Sequence, residues 1–560
     1  MKGSAATASL LILFCTLSIF LRTPTVTSAF FDPDIAGVAY SAQDLYSGGC
    51  IYKNTVETKP PLSYFLFALM FLIKKDMLVV HKFAMLIWCG LIVALYLFAS
   101  SLFDRTVGIL AAFALAINSA DIFSDALSCN FETWTLLPIV LAYLFSYKFV
   151  KSKDKSWMFA LLAGLFSAIA IMGKQQAAII LVGAILFALL FGFRNFLKFL
   201  VFYIIGAIMV ILPAVVFFTT KGCLEEFLNI FSPLRAKGYI VSYGSNYFAW
   251  SRLWWQLNNF WGNKPVLFLT VLASPVLFFV RAYQKSARAM ACIFAILSAL
   301  AVLSTGKFFS HYFVYMMPVV SIILPSLVLS FKRTGLVRAF LIGLLIVIPT
   351  ISSFKEIGLA AIATDGLVQE ESTYTSELEK NLTKFGPFYK KAPDWLYYVQ
   401  MQPYLVEAGA WIKNNSGPSD KILVWPYLPQ IYFFADRRSP TRHFMSFDVI
   451  AGSPHKDYGG WHVGVDEHVL RNRMKMMEAL YKDRPTFIVL YSRECPPADA
   501  SVDASPRSDW PKTIFDNPMV WCDPQILMFD ELEKFVTENY EPAFSVDNAR
   551  IAVWQLKKSP

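Results

Sequence analysis

The sequence predicts a mainly α polytopic membrane protein with about eleven transmembrane helices, interfacial helices in its first outer loop, and a C-terminal α/β domain outside the membrane. Three observations predict it: an apolar composition, long apolar runs separated by basic loops, and the end of such runs beyond Phe354. Of 560 residues, 56% are hydrophobic and 16% charged, with a mean hydropathy of +0.49. Soluble domains carry nearer a quarter of charged residues, so the apolar excess must face lipid. An aromatic content of 16% excludes a disordered or tail-like chain. The net charge of +10 does not read as a nucleic-acid surface, because the basic residues punctuate the apolar runs instead of forming one patch.

Taken in order, the apolar segments fall at 6–22, 83–103, 107–123, 132–150, 157–173, 176–193, 197–219, 265–281, 287–304, 311–331 and 336–353. Alternate loops are basic: Lys148, Lys151, Lys153 and Lys155; Arg194 and Lys198; Arg281, Lys285 and Arg288; Lys332, Arg333 and Arg338. Those loops are expected in the cytoplasm, while the opposite set, with Asp121 and Asp125, faces outward. The expected location is therefore the cytoplasmic membrane, with loops 23–82 and 220–264 and the C-terminal domain on its outer side. Segment 6–22 also has the features of a cleaved signal peptide, with Lys2 before it and Thr27-Ser28-Ala29 after it. Cleavage would leave the following loop on the same side.

A membrane domain over 1–354 and an outer domain over 355–560 follow. The latter mixes charges, Pro and Gly with β-rich pieces at 421–425, 431–435, 486–491 and 551–556, and helical stretches near 465–482 and 525–538. Eight cysteines are too scattered for a disulfide scaffold, and no zinc spacing occurs. Cys15, Cys89 and Cys292 read as small apolar residues inside spans, whereas Cys495 and Cys522 share the outer domain and are the pair placed to bridge there.

The first outer loop carries the densest chemistry: Phe31-Asp32-Pro33-Asp34, a helical stretch to Leu45, Gly48-Gly49, Tyr52, and Lys59-Pro60-Pro61-Leu62. A carboxylate at a helix N-terminus is held ionised and can accept a proton, which makes Asp32 or Asp34 a candidate base. Either residue alternatively caps the helix that follows. The two prolines pre-set a helix starting at Leu62, too short to span before Lys74, and pin Lys59 at its entry. Lys59 there either meets a lipid phosphate or snorkels to the interface.

Lys174, in Gly173-Lys174-Gln175, and Lys307 with His311, in Lys307-Phe308-Phe309-Ser310-His311-Tyr312, belong to the same side. A lysine among apolar helices needs a cavity or a counter-charge, and Glu132, at the outer entry of segment 132–150, is the carboxylate available. Together these groups suit an outward-facing cavity in which cations hold a departing phosphate and a carboxylate activates an acceptor. No Walker or GxGxxG loop is present, so a lipid-phosphate donor is the expected substrate. The scheme requires no cofactor, although Asp32 and Asp34 are also a candidate site for a divalent cation. Aromatics of the second large loop, Tyr239, Tyr243, Tyr247, Trp250, Trp254, Trp255 and Trp261, either line a sugar cleft or form an interfacial belt. A transporter or lipid flippase is the competing reading; charges gathered at one face favour catalysis.

In these residues the chain resembles the GT-C membrane glycosyltransferases, in the bacterial branch related to protein O-mannosyltransferases and to the aminoarabinose transferase of lipid A. The resemblance rests on the Asp-containing first loop with Tyr40, Ala42, Leu45, Gly48 and Tyr52, on Lys59-Pro60-Pro61-Leu62, on Gly164 to Lys174, and on His311-Tyr312 with Pro318. It implies inverting transfer of a sugar from a polyprenyl-phosphate carrier to a lipid, glycan or protein acceptor at the outer face. It further implies a first-loop aspartate as base, Asp34 with Asp32 as its neighbour. Lys59, Lys174, Lys307 and His311 then face the donor phosphate, with Glu132, Tyr40 and Tyr52 in support. Relatives often carry Asp-Glu where this chain has Asp34-Ile35, which leaves the choice between Asp32 and Asp34 open.

Overall fold

In the computed structural model the described residues are 2–27, 31–120, 126–152, 156–190, 192–232, 273–304, 306, 308–330, 394–445, 467–491, 529–546 and 551–558, with isolated residues and a short hairpin between them. They fall into two compact units: Met1–Phe30, Lys59–Thr220 and Phe248–Val399 in the first, and Phe31–Thr58, Lys221–Tyr247 and Gln400–Pro560 in the second. The expected boundary at 354/355 lies outside the described residues.

Helix starts in the first unit follow side-chain chemistry. Asp76 and Asp104 sit in extended backbone and accept hydrogen bonds from Leu78 N and Val107 N, opening Met77–Leu102 and Arg105–Asn118. Asn130 caps Phe131–Lys151, which ends on Lys148 and Lys151, cations suited to the negative end of the helix. Pro60 and Pro61 precede the ten-residue helix Leu62–Phe71, as expected. Beyond these come Ser156–Gly173, Ala177–Leu189, Phe193–Thr220, Lys285–Leu303 and a 3₁₀ turn, Ser310–Met316, that runs into Met317–Ser330.

Among the described residues, six helices are long and apolar enough to cross a membrane: Met77–Leu102, Phe131–Lys151, Ser156–Gly173, Phe193–Thr220, Lys285–Leu303 and Ser310–Ser330. The chain is thus a multi-pass membrane protein. The expected eleven reduce to six here because segments 6–22, 107–123 and 176–193 form shorter apolar helices, Ala5–Leu21, Arg105–Asn118 and Ala177–Leu189. Segment 336–353 lies outside the described residues, and of 265–281 only the end is described, where Ser274–Phe279 is a 3₁₀ turn.

Helices Ser156–Gly173 and Phe193–Thr220 cross at two glycines. A Cβ on Gly164 would stand 1.8 Å from the Tyr203 carbonyl oxygen, and one on Gly206 would stand 2.0 Å from that of Leu161. Only hydrogen fits at either position, so the backbones touch and gain packing that lipid alone does not supply. The buried core joins Trp88, Leu95 and Phe98 to Ala112, Tyr143 and Phe294.

Among the described residues of the second unit there are six strands: β1 Ile422–Trp425, β2 His455–Asp457, β3 Gly460–His462, β4 Phe487–Tyr491, β5 Tyr540–Val546 and β6 Ile551–Leu556. A mixed sheet runs β1-β4-β6-β5, with β1 parallel to β4 and the other pairs antiparallel; β2 and β3 form a separate hairpin. Leu423, Trp425, Ile488, Leu490 and Trp554 share a core with Met476 and Leu480 of Glu467–Lys482 and Phe535 of Asp530–Asn539. Helix Asp394–Asn414 buries Met401, Leu405, Ala408 and Ile412, a helical stripe, and its Trp411 stacks on Phe544 at 4.9 Å. The piece 431–435, expected as β-rich, is instead the short helix Gln430–Ala435. Short aromatic runs do not distinguish strand from helix by period, and Pro429 immediately before this one favours a helix start.

Within this unit the first-loop helix Pro33–Tyr46 packs on Gln430–Ala435. Phe31 meets Phe433 and Phe434 edge-on at 5.1 and 5.6 Å, Tyr40 lies 4.9 Å from Tyr432 and 4.3 Å from Phe444, and Gln430 Nε2 donates to Phe31 O at 3.1 Å. Arg438 Nη1 donates to Asp44 Oδ1 at 3.1 Å, and Val56 N to Arg442 O at 3.0 Å. A disulfide joins Cys50 to Cys223, 173 residues apart. The sequence reading had singled out Cys495 and Cys522, which lie outside the described residues.

Candidate functional site

In the first unit, three of the expected residues, Lys174, His311 and Lys59, gather near a fourth, the Glu132 carboxylate. Glu132 sits in the first turn of Phe131–Lys151, where Asn130 fixes the helix start, and Lys174 follows the last residue of Ser156–Gly173. The Lys174 ammonium donates to Glu132 Oε1, and both side chains are 1% exposed. His311 Nε2 is 3.9 Å from the same oxygen. Lys174 also lies 4.3 Å above the Tyr312 ring, and Lys59 lies 5.0 Å from the ring of Phe131. Glu132 Oε2 makes no hydrogen bond among the described residues. Lys174 and His311 are thus gathered at the Glu132 carboxylate, with Lys59 against the adjacent Phe131. Lys307 lies outside the described residues.

Sequence reasoning did not find Arg22, which anchors the approach to this cluster. Wholly buried beside Trp88, its guanidinium donates to Ser119 O at 2.6 Å, Ala126 O at 2.5 Å and Leu127 O at 3.2 Å. It thereby ties the end of Ala5–Leu21 to the chain that leads into Glu132. The available signal was a charged residue at the very end of an apolar segment, a position where a long cationic side chain ordinarily snorkels.

The second unit carries Asp32, Asp34, Tyr40 and Tyr52. Asp32 is the cap: its Oδ1 accepts from Ile35 N at 2.9 Å, with Pro33 at the first helical position. Asp34, two residues on, has no capping duty. Its side chain is exposed, and Oδ1 accepts a hydrogen bond of 2.9 Å from the Tyr427 hydroxyl. Tyr40 and Tyr52 are packing residues. The Tyr40 hydroxyl accepts from Ser439 N at 2.9 Å, and Tyr52, fully buried at φ +73°, offers its carbonyl to Arg442 at 2.7 Å. Tyr427 was missed by sequence reading, its only signal being the Pro-Tyr-Leu-Pro turn after a strand. No group of three or more His, Cys, Asp or Glu gathers as metal ligands among the described residues. The second large loop's aromatics, Tyr239 to Trp261, lie outside them, as do Asp121 and Asp125.

The fold is GT-C-like, the class of fold found in membrane glycosyltransferases. Residues 58–218 match the family of dolichyl-phosphate-mannose-protein mannosyltransferases, a span that contains Lys59, Glu132 and Lys174. The chain has the fold of ArnT from Cupriavidus metallidurans. The ArnT structure bound to undecaprenyl phosphate aligns over 97% of both chains with a TM-score of 0.58 at 12% identity. The apo form aligns over 98% of both chains with a TM-score of 0.52 at 13% identity. The apo oligosaccharyltransferase of Archaeoglobus fulgidus aligns with a TM-score of 0.48 at 14% identity, over 86% of this chain and 69% of its own. No curated protein matches the chain in sequence. The resemblance read from the sequence is thereby borne out.

Proposed function

We propose that this enzyme moves a sugar from a polyprenyl-phosphate carrier to a hydroxyl or amine acceptor at the outer face of the cytoplasmic membrane, with inversion at the anomeric carbon. The observation that carries the reading is the buried Glu132–Lys174 pair with Lys59 against the adjacent Phe131, inside the span that matches the mannosyltransferase family. As the glycosidic bond breaks, its electron pair stays on the phosphate oxygen. Preorganised cations, for which Lys59, Lys174, Lys307 and His311 are the proposed set, stabilise that charge most where water is scarce. Asp34 accepts the proton of the attacking acceptor, and the acceptor atom bonds to the anomeric carbon as the phosphate leaves. The division of labour between the two aspartates supports Asp34 as base, since Asp32 is engaged in capping. The donor class follows from the family domain and from ArnT, whose structure holds undecaprenyl phosphate. The Cys50–Cys223 disulfide supports placing the first loop outside the cytoplasm, because disulfides persist in oxidising compartments. The scheme needs no metal.

The test uses the full chain in lipid nanodiscs, with undecaprenyl-phosphate-linked mannose or aminoarabinose as donor, and lipid A or a Ser/Thr-bearing peptide as acceptor. Asp34→Asn is expected to lower kcat by about 10²–10⁴-fold with the melting temperature kept. Asp32→Asn, which still caps, should keep most activity. The reverse pattern would move the base to Asp32, and two silent variants would remove the first loop from the chemistry.

A further inference from the structure

We infer that Tyr427, contributed by the C-terminal domain, is a positioning residue for the Asp34 carboxylate. The inference rests on Asp34 being the base. Asp34 stands at the second position of helix Pro33–Tyr46, so its backbone is held, yet its side chain is exposed and makes one hydrogen bond among the described residues, to the Tyr427 hydroxyl. A solvent-facing aspartate with no such partner exchanges rotamers freely. One donor on Oδ1 selects a single carboxylate plane and leaves Oδ2 to meet the acceptor's proton, which is the orientation a base needs.

Tyr427 is itself held from both sides. Trp425, the last residue of β1, and Leu428 are each 1% exposed, and fully buried Gln430 donates to the carbonyl of Phe31, three residues before Asp34. Phe31 is further gripped by the rings of Phe433 and Phe434. The chain from β1 into Gln430–Ala435 therefore carries a hydroxyl to a fixed place beside the start of the first-loop helix. A residue 393 positions away in sequence thus decides how the base is presented.

The experiment compares wild type, Tyr427→Phe, Asp34→Glu and the double variant in the nanodisc assay with the same donors and acceptors. Tyr427→Phe is expected to lower kcat by about ten-fold, leaving KM for the donor and the melting temperature unchanged. In Asp34→Glu, whose carboxylate is already displaced, Tyr427→Phe should cost nothing further. Replacement of Tyr427 by para-aminophenylalanine, which keeps the ring and a donor, should restore most of kcat. If Tyr427→Phe lowers the melting temperature, that replacement carries the test alone, and a folded but equally slow enzyme would overturn the inference. Unchanged kcat in Tyr427→Phe, with Asp34→Asn inactive, would overturn the inference and leave the base assigned. Full activity in Asp34→Asn would remove the base and the inference with it.

Discussion

Glu132 and Lys174 form an ion pair from which water is almost excluded, each side chain being 1% exposed. Breaking a buried pair by removing one partner leaves an uncompensated charge, which costs about 3–5 kcal/mol, whereas neutralising both can be close to neutral for stability. Glu132→Gln and Lys174→Met are each expected to lower the melting temperature in detergent clearly. The double variant should regain most of that loss. Activity should not return with stability, because the double variant lacks a cation proposed to hold the phosphate. A double variant as unstable as the singles would mean that the pair is not the energetic unit described.

The bridge between Cys50 and Cys223 closes a loop of 173 residues. Cross-links of that reach restrict the unfolded chain and typically contribute about 2–4 kcal/mol. Reduction, or Cys50→Ser with Cys223→Ser, is expected to lower the melting temperature of the first-loop region. The paired replacement should also abolish the response to reductant. Mass spectrometry of protein from an oxidising and from a reducing host reads the bridge directly; a bridge absent from oxidised protein would refute the pairing.

Asp44 makes a counter-intuitive prediction about pH. Burial raises its carboxyl above the ordinary carboxylate value, and the Arg438 guanidinium and the Asn54 amide, both hydrogen-bonded to it, only partly reverse this. A folded-state value above the unfolded one, near 4, means that the contribution of Asp44 to stability is fully present below the unfolded value. It is lost as pH rises through the folded one. The melting temperature of wild type minus that of Asp44→Asn should therefore fall as pH rises above about 4. A difference that grows as pH rises would show the Arg438 pairing outweighing burial.

How far the sequence reaches is seen in these same residues. Asp32-Pro33 reads as a helix start, and the apolar runs read as spans, because capping and lipid burial are local rules. Glu132 and Lys174 were legible for a different reason: an ionisable group among apolar helices demands a partner, and few were available. Pairings across long separations were not legible. Nothing near Cys50 points to Cys223, and nothing near Asp34 points to Tyr427, since both contacts arise from tertiary packing. Strand β5 was also missed; it has Pro542 beside a register shift and few buried residues, so its alternation is faint.

The glycine crossing offers a mechanical test of how the cation cluster is held. At Gly164 a Cβ would meet the carbonyl oxygen, carbonyl carbon and Cα of Tyr203, all backbone atoms that cannot rotate aside, so the two helices must separate. Overpacking of this kind costs about 1–3 kcal/mol. Gly164→Ala should lower the melting temperature accordingly, and Gly206→Ala, which meets the Leu161 carbonyl, should do likewise. The two should not add, because helices pushed apart by one methyl accommodate the second. Lys174 lies just past the end of the Gly164 helix, so its separation from Phe193–Thr220 shifts the lysine against Glu132. KM for the donor should therefore rise in both variants. Destabilisation with an unchanged KM would show that the lysine is placed by Phe131–Lys151 alone.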